Sequence, residues 1–251
     1  MKSNITILTL ATFLVSLVTS CSQKGGKTTE VEAVTVPEKV EEIVKETKAV
    51  CVWNELSVRK EPKYNKNNYL TSLSKGERLT SLGITKYDSA GKTEYVKVKL
   101  NDGTEGWSSR SLIVDEADPA VLAVEAAIYK RPDLLTKTDR AFDQLDIVAV
   151  VSVDGGWAEI KGQRNGTNFV SEGWIKKDVL STDNVDIAMA KFIRKASSMK
   201  DEDKKIESLT ELLENSDFQS SKFVSVAQEI LNEIKGEETI EETVSEVDSI
   251  E

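Results

Sequence analysis

None of the 251 residues is histidine, and that gap defines the chemistry open to this chain. A Ser-His-Asp or Cys-His site needs imidazole to carry a proton near neutral pH, and zinc sites without cysteine clusters usually need it as a ligand. Neither can be assembled. Aspartate and glutamate total 43, but they are spread along charged helical stretches and the C-terminal segment. Nothing sets two of them across a cleft, as glycoside hydrolysis requires. The sequence has no glycine loop for a phosphate, no calcium loop and no dinucleotide fingerprint. The expectation is a protein that is not an enzyme and uses no metal and no cofactor. Cys51 lies in the apolar run Ala-Val-Cys-Val-Trp and is expected to be a small buried hydrophobe in a strand, not a nucleophile.

The other cysteine, Cys21, ends a different kind of segment. One lysine, Lys2, precedes an apolar core from Ile5 to Val18, and the small residues Thr19 and Ser20 follow. This is the build of a secretory signal. As a helix the core would span about 21 Å, short of the ~30 Å hydrocarbon layer, so a permanent membrane span is the weaker reading. The tetrad Val18-Thr19-Ser20-Cys21 resembles the lipobox of bacterial lipoproteins. The resemblance implies a signal peptide over 1–20, lipidation of Cys21, and residence in the bacterial cell envelope, anchored to a membrane and facing periplasm or exterior. Two or more acyl chains suffice for stable anchoring, where one is marginal. Cys51 is then left without an intrachain partner. Residues 21–49, polar with a Gly pair and one proline, read as a flexible tether with an end-to-end distance of about 30 Å.

Charge is uneven along the chain. Residues 51–115 carry 11 Lys/Arg against 8 Asp/Glu, residues 121–181 carry 8 against 9, and residues 182–251 carry 8 against 18. The net charge of −10 is thus almost wholly C-terminal. No basic stripe exists to displace phosphate counterions, so nucleic acid is not an expected partner.

From Cys51 to Val114 short apolar alternations are broken by turn residues, the pattern of a small all-β unit. The expected strands are 56–59, 78–84, 94–100 and 104–109, with turns at Ser-Lys-Gly-Glu (74–77) and Asn-Asp-Gly-Thr (101–104). The triplet Glu-Gly-Trp closes this stretch and returns 67 residues later, at Trp107 and Trp174. The segments 126–132, 146–153 and 157–161 parallel the opening, middle and aromatic-led strands of the first stretch. A second copy over 121–182 is therefore expected, with a longer hairpin tip around 162–169 and no Lys-Gly turn. A boundary near Asp118-Pro119 is expected to be open to protease.

Leu56, Val58, Arg59, Pro62, Lys75, Gly76, Tyr95, Gly106, Trp107 and Leu112 follow, in order, a line that resembles the bacterial SH3 (SH3b) domain. Glu61 stands where that line has glycine. The resemblance implies two small SH3-like β-barrels in tandem, over 50–115 and 121–182, in a chain that is mainly β with an α-helical C-terminus. It also implies a peptide groove formed by Tyr64, Asn67, Tyr69 and Tyr95 in the first copy, and by Tyr129 and Trp157 in the second. The alternative for Tyr95 and Trp157 is that they cap the small core and show only their edges. Trp107 and Trp174 are expected mainly to pack.

Residues 183–235 change to helical periodicity, with three apolar stripes: Val185, Ala188/Met189, Phe192, Ala196 and Met199; Ile206, Leu209 and Leu212/Leu213; Phe223, Ala227, Ile230/Leu231 and Ile234. Three short helices are expected there, the first capped by Asp183 or Asn184. Residues 236–251 read as an acidic disordered tail. Two functions fit this organisation: a lipid-anchored protein that binds cell-wall (peptidoglycan) peptides or glycans without cleaving them, or one that docks another envelope or host protein.

Overall fold

A computed structural model describes residues 45–248, with side chains through residue 236. The signal segment, Cys21 and the tether to residue 44 lie outside the described residues. The chain is mainly β, with two antiparallel sheets and three helices, the last at the C-terminus.

The first sheet contains β1 (Thr47–Cys51), β2 (Leu56–Arg59), β3 (Tyr69–Leu73), β4 (Arg78–Tyr87), β5 (Glu94–Lys99), β6 (Glu105–Ser109) and β7 (Ile113–Asp115). The second contains β8 (Asp118–Leu122), β9 (Ala126–Tyr129), β10 (Lys137–Phe142), β11 (Ile147–Asp154), β12 (Trp157–Gln163), β13 (Val170–Lys176) and β14 (Leu180–Ser181). The spatial orders are β3-β2-β6-β5-β4-β1-β7 and β10-β9-β13-β12-β11-β8-β14. Each strand of the second sheet thus occupies the place of the strand seven before it, and the repeated Glu-Gly-Trp triplet marks a duplicated sheet. The Lys-Gly turn missing from the second copy is present there in other residues. Gly76 takes φ +75° in the first copy, and Leu145 takes φ +68° in the second. The Glu77 carboxylate accepts from the Ser74 N–H at 2.8 Å, and the Asp146 carboxylate accepts from the Asp143 N–H at 3.0 Å.

Side-chain alternation along β1 explains its unbroken apolar run. Ala49 and Cys51 point into the core of the first sheet, while Val50 and Val52 meet Ala117, in the link between the sheets, and Ala149 of the second. Burial pushes the Cys51 thiol up to about 12, so its thiolate is scarce at neutral pH and the side chain acts as a packing group. The segment around the expected boundary at Asp118-Pro119 is packed in the same way. Only Glu116 and Ala117 separate β7 from β8. The Glu116 N–H donates to the Lys48 carbonyl, and Ala117 is buried. Limited proteolysis of the folded chain should spare 115–121 and cut first at the exposed loop around 88–92. Early cleavage at 115–121, read by mass spectrometry of the fragments, would contradict this packing.

The helices are α1 (Asn184–Ser197), α2 (Glu202–Glu214) and α3 (Val224–Asp248). They form a third core with Val121 and Ile147 of the second sheet and Leu145 of the turn before β11. The second and third apolar stripes are buried largely as their spacing predicts, but the first is rotated. Met189 and Ala196 are buried as expected, but Ile187, Ala190 and Ile193 also face inward and Phe192 is 48% exposed. Asp186 lies on the inward side, and its buried carboxylate accepts from the Ser181 and Ser221 hydroxyls and the Lys222 N–H. That tie turns its side of α1 toward the sheet end and the start of α3. Asp183 holds the N-cap position without a side-chain cap bond. The helix also differs from expectation at its far end, because α3 continues past Gly236 to Asp248. One interior glycine costs about 1 kcal/mol relative to alanine and does not by itself stop a helix, and no proline follows it.

Candidate functional site

The glycine of each Glu-Gly-Trp triplet sets the geometry of one face. A Cβ on Gly106 would lie 2.5 Å from Val58 Cγ1 and 2.9 Å from the Arg59 carbonyl oxygen. A Cβ on Gly173 would lie 2.5 Å from Ile128 Cγ2 and 2.9 Å from the Tyr129 carbonyl oxygen. Glycine therefore lets β6 and β13 press onto β2 and β9, and the tryptophan that follows lands opposite Arg59 in one sheet and Tyr129 in the other.

Register then extends each pair into a row. Across β3, β2, β6 and β5 it reads Tyr69, Arg59, Trp107, Lys97. Across β10, β9, β13 and β12 it reads Lys137, Tyr129, Trp174, Glu159. Directly opposed residues in antiparallel strands share a face with Cβ atoms about 5 Å apart, so each row is a continuous strip of side chains.

The loop beside the first row is held by its asparagines. Asn68 is buried, and its amide donates to the Lys63 carbonyl at 3.0 Å. Asn65 accepts from the Asn67 N–H at 2.9 Å. Nη1 of Arg59 donates to the Asn65 carbonyl at 2.8 Å and to Asn68 Oδ1 at 3.2 Å. The Arg59 guanidinium lies 4.6 Å from the centre of the Tyr64 ring. Tyr64 and Tyr69 are 74% and 50% exposed, and Asn67 is exposed beside them. Three of the four residues expected in the first groove thus stand at the surface around Arg59. Tyr95 does not: it is 8% exposed and belongs to the core edge. Lys86, on the neighbouring β4, places its ammonium 5.5 Å from the centre of the Trp107 ring.

In the second copy Tyr129 and Trp157 come together edge to face, with ring centres 4.8 Å apart. Both are half buried. The Lys176 ammonium lies 3.7 Å from the centre of the Trp157 ring. An open hollow bordered by Gly156, Lys176, Lys177 and Asp178 adjoins it. The loop between β9 and β10 is two residues shorter than its counterpart, and its tip exposes Leu134 and Leu135.

Sequence reasoning placed Arg59 in a motif without giving it a role, and it passed over Lys86 and Lys176. Their signal is visible only once register is known, since each lies on a strand other than that of its aromatic partner or across a loop from it. The arrangement offers ring faces, ring edges and cationic donors on a preformed surface. Among the described residues no three carboxylate or thiol groups are gathered to hold a metal ion.

No protein-family model matches this sequence, and no curated protein matches it. Among solved structures the chain is similar to NlpC2 from Trichomonas vaginalis, at 16% identity over 68% of this chain and 56% of that one, with a TM-score of 0.24. It is also similar to NlpC1 from the same organism, at 16% identity over 60% of this chain and 53% of that one, again with a TM-score of 0.24. The chain spans little more than half the length of either structure.

Proposed function

We propose that the chain is a lipoprotein of the bacterial cell envelope, anchored through Cys21, whose two sheets are SH3-like barrels that bind cell-wall peptides or glycans without cleaving them. The observation that carries this reading is a row of aromatic and charged side chains built around a tryptophan, set at equivalent places in two sheets of the same strand order. Aromatic walls grip extended chains without a deep pocket. Two such sites on one chain raise avidity through effective concentration, because binding of the first site makes binding of the second intramolecular. The tether and acyl anchor hold both sites near a membrane surface, within reach of the wall polymer.

A pull-down with purified peptidoglycan sacculi, using the full chain in mild detergent, tests the proposal. The chain should co-sediment without releasing soluble fragments. Part of the retention should survive 1 M salt, where the Debye length falls to about 3 Å and exposed charge contacts fade. Tyr64→Ala combined with Tyr69→Ala should remove most of the salt-resistant part. No retention at low salt, together with capture of one defined envelope protein, would assign the chain to protein docking instead.

A further inference from the structure

Three charged side chains in the described residues are buried: Arg59, Asp146 and Asp186. Asp146 faces the Arg194 guanidinium at 3.4 Å, and Asp186 faces the Lys222 ammonium at 3.8 Å. Arg59, at 8% exposure, has no carboxylate partner among the described residues. Its side-chain hydrogen bonds are the two from Nη1, and its guanidinium stacks on the Tyr64 ring. A buried charge without an opposite charge is costly. Here the polar atoms of Nε and Nη2 are not sealed in the interior. Neither makes a hydrogen bond among the described residues, and the Nε–H and one Nη2–H of arginine make the two-pronged donor that matches a carboxylate.

We propose that Arg59 is the anchor for a free carboxylate on an extended peptide, with Tyr64 and Tyr69 flanking the chain that bears it. This rests on the reading of the two sheets as wall-binding units, and it separates the copies by chemistry. Lys86, exposed and without a carboxylate partner among the described residues, adds a second positive charge over Trp107. The second copy has Tyr129 where the first has Arg59, and Glu159 where the first has Lys97. It has no guanidinium in its row, and its cations, Lys137 and Lys176, are ammonium groups without a two-pronged donor. The pair therefore binds one polymer through unlike contacts.

The test is calorimetric binding of the full chain to the synthetic tetrapeptide Ala-γ-Glu-Lys-Ala with its carboxyl groups free, and to the same peptide with every carboxyl converted to amide. The free acid should bind about tenfold more tightly, in the range of a charge-assisted two-pronged bond. The preference should persist at 0.5 M salt, because the partly enclosed fork is screened far less than exposed lysines. Arg59→Lys keeps the charge but loses the fork, and should bring the acid-to-amide affinity ratio from about tenfold down to about one. Equal binding of acid and amide by the unaltered chain overturns this inference alone. A preference that vanishes at 0.5 M salt also overturns it, since diffuse charge would then be the cause. Binding of neither peptide overturns both this inference and the wall-binding reading beneath it.

Discussion

Gly173→Ala should lower the thermal midpoint of the chain by about 10 °C, while Gly156→Ala, 17 residues upstream, should leave it nearly unchanged. The first substitution sets a Cβ 2.5 Å from Ile128 Cγ2 and 2.9 Å from the Tyr129 carbonyl oxygen. The carbonyl belongs to β9 and cannot retreat without breaking its pairing with β13. Gly173 also sits at φ +153°, a conformation that residues with a Cβ rarely adopt. Overpacking and backbone strain together cost about 3 kcal/mol, and each kcal/mol is worth about 3 °C in a domain of this size. A Cβ at Gly156 meets nothing within 4 Å, so its effect should stay within about 0.5 kcal/mol. Differential scanning calorimetry of the two variants decides the matter. Equal midpoints would mean that β13 does not press on β9 as described. The same variant should displace Trp174 from Tyr129 and weaken the second row.

Asp186→Ala should cost about 3 kcal/mol, because it strips the acceptor from two hydroxyls and one backbone N–H at a buried junction. Ser221 Oγ and the Lys222 N–H each lie 2.9 Å from Oδ1, and the Ser181 hydroxyl donates to Oδ2. Asp186→Asn keeps an acceptor and should cost about 1 kcal/mol. The acid limb gives a second readout. Burial by itself would raise the Asp186 carboxyl, but the hydrogen bonds from Ser181, Lys222 and Ser221, with the Lys222 charge, outweigh it and hold the group below its ordinary value of 3.8. As pH falls, the unfolded chain therefore takes up this proton before the folded chain does. The stabilisation is complete above about pH 4 to 5 and is lost as pH drops through the depressed folded value. Urea midpoints measured from pH 6 down to pH 2 should fall more steeply for the unaltered chain than for Asp186→Asn. Parallel curves would show that Asp186 is not the tie that orients α1.

Much of the fold was legible because strand alternation and turn chemistry are local. The segment 94–100 reads as a strand with Val96, Val98 and Leu100 on one side, and these three are buried. The Gly76 and Gly103 turns stand where Lys-Gly and Asp-Gly mark them, both at positive φ. The counterpart turn at Leu145 was illegible, since a leucine there reads as strand or helix. What holds it at φ +68° is the Asp143–Asp146 bond and the packing of Leu145 against the helical core. Likewise Phe192 reads as the centre of an apolar stripe. Which flank of a helix is buried depends on partners far away in sequence, and Asp186 draws one of its partners from Ser221, 35 residues on.

The candidate site divides in the same way. Its exposed aromatics, Tyr64 and Tyr69, lie in and at the end of a polar loop that keeps them at the surface, whereas Tyr95, left open between groove and core cap by its sequence, is buried within β5. The sequence by itself determined the duplication, the β character of both copies, the three helices and the absence of imidazole, because each of these is carried by residue type and short-range spacing. Only the tertiary structure decided that the two copies and the helices share buried contacts, and that Arg59 sits buried without a counter-charge beneath Tyr64. Both depend on strand register, which joins residues tens of positions apart: Arg59 meets Trp107 only because Gly106 lets the two backbones close.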